Sequence, residues 1–190
     1  MGILLFCVAE EAKSVVPEIL ATEQSQGIDL YVLAQSRSSD QARQDPVVEL
    51  KDGETFESDF IGSSEVSCQS WAREQIPVDK SLDSELIAIV DQRSTRDKTI
   101  IVQFFNEKPG LDFPPYGTLP PEENAWYSFR IRYNDAFTLV AALTETAFDV
   151  SYPVYFGRKD EFTNEEGVFE VQKAEKAAAG EDAAAALSCS

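Results

Sequence analysis

Hydrophobic positions 3–8 run without interruption from Ile3 to Val8. A continuous apolar run of that length predicts a strand covered on both faces. From Glu10 to Gln24 the spacing changes. Ala12, Val15, Val16, Ile19 and Leu20 recur at helical intervals, with Pro17 moving the regular start toward Ser14. Gly27 marks the helix exit, and Ile28–Ala34 reads as a second strand. The opening is therefore strand–helix–strand. It has no Gly-rich turn after the first strand, so no dinucleotide or phosphate loop is supported.

Further on, Val47–Leu50 and Thr55–Ile61 flank Lys51-Asp52-Gly53-Glu54 and read as a hairpin. Ser63-Ser64 predicts the cap of a helix running to about Gln75. Leu86–Val90 and Thr99–Phe105 read as an antiparallel pair joined by a charged loop. Residues 108–124 are rich in Pro and Gly and read as an irregular loop. Its apolar residues, Tyr116 among them, argue that it packs on the domain. Trp126–Tyr133 alternates. Trp126, Ser128, Arg130 and Arg132 face one way, and Tyr127, Phe129, Ile131 and Tyr133 the other. Asn134 or Asp135 caps a helix to about Phe148, and Val150–Phe156 reads as a further strand. Gly167–Val171 is a possible sheet partner. Short turns between several strands imply antiparallel pairing. The expected fold class is α+β, a mixed and largely antiparallel sheet with helices packed against it. Residues 1–172 read as one globular domain. Residues 173–190 read as an Ala/Glu-rich tail, a frayed helix or disordered.

Charge and composition then restrict function. The chain has 190 residues, 34 acids against 16 bases and a formal charge of −18. Such a surface repels nucleic acid and anionic membranes and favours basic partners. Neither a nucleic-acid nor a membrane partner is expected. There is no histidine. That removes Ser-His-Asp and Cys-His nucleophile systems and His-ligated zinc or haem. Cys7, Cys68 and Cys189 are widely spaced, odd in number and without a CxxC pair, which fits neither a disulfide framework nor a zinc site. No metal or cofactor motif is present, and a reducing, cytoplasmic setting is expected. Cys68 has no histidine to activate it.

The candidate chemistry is an anion site. Arg130 and Arg132 alternate on one strand face, about 7 Å apart, near enough to share one carboxylate or phosphate. Trp126 on the same face offers a stacking surface. Arg93 and Arg96 would add to the site if their loop folds toward the strand, and Tyr116 could stand over it on the Pro-rich loop. Each feature also has a plain structural reading: ion pairing on a solvated face, a charged hairpin tip, a covering loop.

Two functions follow. The first is an acidic, non-catalytic binding domain that engages a basic protein partner, with inhibitor or immunity proteins as the physical model. The second is a small His-free enzyme or ligand binder that holds an anionic small molecule at the arginine pair. Catalytic residues cannot be named in either case, and the balance leans away from an enzyme.

Overall fold

The computed structural model describes residues 2–24, 29–38, 46–51, 54–75, 82–107, 112–113, 117–118 and 124–180. Four largely apolar strands come first: β1 (Gly2–Cys7), β2 (Tyr31–Ala34), β3 (Leu82–Val90) and β4 (Thr99–Asn106). A short ribbon follows, β5 (Asp112–Phe113) paired with β6 (Gly117–Thr118), and then β7 (Ala125–Arg132). The main sheet has the order β2-β1-β3-β4-β7. β1 pairs in parallel with β2 and β3, whereas β3–β4 and β4–β7 are antiparallel. Three of the five strand pairings among the described residues are thus antiparallel. The fold is a single α+β domain on a mixed sheet.

β1 is buried along its whole length because both of its faces are covered. Ile3, Leu5 and Cys7 enter one core, Leu4 and Phe6 the other. The first core lies under α1 (Val16–Gln24), α4 (Ala136–Thr144) and α7 (Val171–Ala178). The second lies under α2 (Glu65–Gln75), where Phe6, Phe60 and Trp71 meet edge to face. The two crossover helices α1 and α2 therefore sit on opposite faces of the sheet.

Local signals explain the ends of these elements. Pro17 falls in the first turn of α1, after a 3₁₀ turn at Glu11–Val15 that needs no donor from it. Ser64 caps α2, its hydroxyl accepting the Ser67 amide at 3.2 Å. The β3–β4 connection holds a single helical turn, α3 (Ser94–Asp97), and closes on Lys98 in the left-handed region.

Two expectations are corrected. The 47–61 hairpin does not form. Val47 makes one isolated bridge to Leu33, and 54–61 is turn and coil. Phe56 is buried in the first core and Phe60 in the second, so the segment must pass between the faces rather than lie in a ladder. The Glu54 amide donates to the Lys51 carbonyl at 2.9 Å. Asp52 and Gly53 lie outside the described residues. The second correction is Val150–Phe156, which is helical: α5 (Phe148–Tyr152) runs into a wide turn at Pro153–Gly157, and α6 (Lys159–Phe162) follows. Tyr152, Tyr155 and Phe156 are spaced to reach one side, and Tyr152 and Phe156 stack on Phe104. Extended backbone would split them between two faces. The predicted 135–148 helix ends at Thr144, because Ala147 is extended before α5. Gly167–Val171 makes limited contact with the sheet. The Phe169 amide donates to the Arg130 carbonyl at 2.7 Å, and Phe169 bridges Thr163. α7 buries Val171, Ala174 and Ala177.

Candidate functional site

The C-terminal ends of β1, β3 and β7 and the start of β4 share one edge of the sheet. In a parallel arrangement this is where strand ends leave room for a ligand. The candidate arginines gather there. β7 places Arg130 opposite Ile101 and Arg132 opposite Thr99, while the β3–β4 connection brings Arg93 and Arg96 over the same edge.

Arg130 is largely covered, and its guanidinium is occupied. Nη1 donates to Asp91 Oδ1 at 3.2 Å and to Thr99 Oγ1 at 3.0 Å, and Nη2 donates to Asp91 Oδ2. Asp91 in turn accepts the Ser94 amide and hydroxyl, at 3.2 and 3.1 Å. Burial pushes the Asp91 carboxyl up, but Arg130 and the Ser94 bonds outweigh it and hold it below the usual range. Arg93 donates to Asp97 and to the Glu166 carbonyl, and Thr99 donates to Asp97 Oδ1 at 2.6 Å. Burial likewise opposes ionisation of Asp97, and the Thr99 and Arg93 bonds win. The chain Arg93–Asp97–Thr99–Arg130–Asp91–Ser94 is thus one hydrogen-bonded network that closes the loop onto the sheet. Gly167, with φ +73°, sits in the turn that presents the Glu166 carbonyl to Arg93.

Arg96 and Arg132 are placed differently. Both are exposed, and both line a shallow concavity of about 340 Å³ with Lys98, Thr99 and Glu166. Neither guanidinium has a carboxylate partner among the described residues. Trp126 stands at the other end of β7, against Phe105 at 5.3 Å, and away from the arginines. Tyr116 lies outside the described residues.

Behind Arg130 the same sheet face stays polar. Gln103, fully buried between the apolar Ile100–Val102 and Phe104–Phe105 of β4, donates to Glu65 at 2.5 Å and Ser128 at 2.7 Å and accepts from Gln69 at 3.0 Å. A lone Gln within Thr99–Asn106 is the sequence signal for this network. Its partners are distant in sequence and carry none. Ser128 and Arg130 also border a concavity of about 360 Å³ with Lys159, a half-buried lysine near the Phe129 ring. Burial lowers its pKa, with Asp160 acting the other way.

Both described cysteines are free thiols buried in the cores. Burial pushes the Cys7 thiol up to about 11 and the Cys68 thiol up to about 12. Among the described residues no cluster of three or more His, Cys, Asp or Glu is arranged to hold a metal ion, and no helix is long and apolar enough to cross a membrane. No protein-family model, curated protein or solved structure matches this chain.

Proposed function

We propose that the chain is an acidic, non-catalytic binding domain that engages a basic protein partner. The observation that carries this reading is the use made of the bases. Lys13, Arg73, Arg93, Lys98, Arg130 and Arg158 are each paired with a carboxylate of the same chain. Arg37 is held by Ser63 and the Asp59 carbonyl and lies over Phe60. The outward field is therefore dominated by carboxylates, in a chain of net charge −18. Such a field speeds the arrival of a basic partner and makes binding salt-sensitive.

The test is native mass spectrometry of protein isolated gently from its own source, at low salt and at about 0.5 M, where the Debye length falls to about 4–5 Å. A basic protein bound at low salt and lost at high salt is the expected result. A partner indifferent to salt would overturn the reading.

One observation favours the second reading, a binder of small anions. Arg96 and Arg132 line a common concavity, and neither has a carboxylate ion-pair partner among the described residues. If that reading holds, an anionic small molecule stays bound in the same spectra, and Arg96→Ala with Arg132→Ala removes it without lowering stability. Retention in the double variant would exclude the site.

A further inference from the structure

The opposite edge of the sheet carries a second feature, built around α4. A groove of about 540 Å³ lies between α4, the 148–157 helical run and α7. Its walls are apolar at Phe137, Ala141, Ala142 and Ala178, and it is bordered by the exposed carboxylates Glu145 and Glu175. On the other flank of α4 a groove of about 370 Å³ reaches Ile3, Leu30 and Val140, bordered by Asp83 and again Glu145. The two share Phe137, Ala141 and Glu145, so α4 forms a ridge between them. Among the described residues no Lys or Arg lines either groove.

The first groove holds an independent sign. Tyr155 lines it, its side chain fully buried and its hydroxyl without a hydrogen-bond partner among the described residues. An unmet buried hydroxyl is costly and uncommon in a finished core. Burial and the Glu175 charge both hold this phenol in its protonated form. It is a buried polar group in a groove that Thr138, Thr146 and Ser151 also line, with Glu175 at the same border.

We infer that the α4 ridge and its two grooves are the docking surface for an amphipathic, basic helix of the partner protein. The inference rests on the basic-partner reading and names its site. A largely apolar floor, with acids as the charged border groups among the described residues, suits a helix that presents aliphatic side chains at i, i+3 or i+4, and i+7 beside lysines or arginines. α4 has nine residues and rises about 13 Å, enough to support about two turns of a partner laid along it. An acidic or neutral helix would leave Asp83, Glu145 and Glu175 desolvated without compensation.

The probe is a synthetic Leu–Lys amphipathic helix of about 14 residues, with a Leu–Glu helix as its control, titrated calorimetrically into the full chain. Expected is binding of the Leu–Lys peptide alone, weakened about tenfold by E145K/E175K and also by Ala141→Phe, which fills both grooves; that factor is about 1.4 kcal/mol. A control pair of equal charge change, E11K/E165K, alters exposed acids at the far end of the strands. It is expected to leave binding within about twofold, a change of roughly 0.4 kcal/mol. Circular dichroism confirms that each variant folds. Equal weakening by both charge pairs with Ala141→Phe silent would overturn the docking surface, as would equal binding of the Leu–Glu peptide or no binding by either. The underlying reading is judged separately. A natural basic partner that is salt-sensitive yet unaffected by E145K/E175K sinks the groove alone. Absence of any such partner sinks the reading.

Discussion

Arg130 and Asp91 form a two-point ion pair that joins β7 to the end of β3 across β4, with Thr99 of β4 bonded to the same guanidinium. Three strands and the following loop are locked by one side chain. Arg130→Met leaves Asp91 partly buried and without its cation. The expected loss is about 2–3 kcal/mol, below that for a fully buried pair because both groups keep some exposure. Asp91→Asn retains part of the hydrogen bonding and should cost less. Urea denaturation of both variants measures the difference. A loss under about 0.5 kcal/mol for Arg130→Met would mean the pair is ornamental.

The same pairing sets the acid response. Asp91 and Asp97 are held below their usual values against the opposing effect of burial, by Arg130 and Ser94 in one case and Thr99 and Arg93 in the other. A carboxylate depressed in the folded state contributes its full stability above the unfolded pKa of about 4 and loses it as pH falls through the folded value. Stability should therefore decline from about pH 4 downward, and Asp91→Asn should flatten part of that decline. With no histidine, the melting temperature should be level between about pH 5.5 and 7. Thermal melts across that range check it, and a transition centred near pH 6.5 would contradict it.

How much of this was legible in the sequence depended on whether partners were local. The period-2 alternation of β7 placed Phe129 and Ile131 in the core and Arg130 and Arg132 on the other face, as found. The apolar run of β1 and the Ser64 cap were equally readable. The 150–156 segment failed because β-branched and aromatic residues suggested a strand, while the helical spacing of Tyr152, Tyr155 and Phe156 decided the matter. The 47–61 segment failed because Phe56 and Phe60 serve different cores. At the arginine edge, sequence put forward Arg130 and Arg132 as the pair, with Arg93 and Arg96 as additions, whereas the structure pairs Arg130 with Asp91 and Arg93 with Asp97. That Arg130 is occupied depends on Asp91, 39 residues away, and no local pattern reveals that distance.

Ser64 offers a cleaner local test. Its hydroxyl accepts the Ser67 amide, which otherwise has no acceptor within the first turn of α2. Ser64→Ala should cost about 1 kcal/mol, and Ser64→Asp should restore it or improve on it, since a carboxylate also suits the helix N-terminus. Chemical denaturation of the two variants decides. Equal loss in both would show that the position acts through something other than capping.

The buried thiols should be inert in the folded protein. With pKa values pushed to about 11 and about 12, Cys7 and Cys68 are thiolates only in trace amounts at pH 8, and each is wholly covered. Iodoacetamide at that pH should leave both unmodified until denaturant is added, read by peptide mass spectrometry. Rapid native labelling of Cys68 would instead reveal an opening of α2 away from the sheet.

Tyr155 separates packing from polarity. Its ring contributes to the first core, tilted against Phe169 at 5.7 Å, while its hydroxyl is buried without a hydrogen-bond partner among the described residues. Removing an unsatisfied hydroxyl gives up no hydrogen bond and relieves a desolvation penalty, so Tyr155→Phe should be neutral or stabilising by up to about 1 kcal/mol. Tyr155→Ala removes the ring as well and should cost about 3–5 kcal/mol, by analogy with Phe→Ala in a packed core. The contrast between the two in urea melts isolates the hydroxyl. If Tyr155→Phe instead lowered stability by more than about 1 kcal/mol, the hydroxyl would have to be bonded in solution. The polar mark in the wall of the α4 groove would then be an ordinary satisfied core tyrosine.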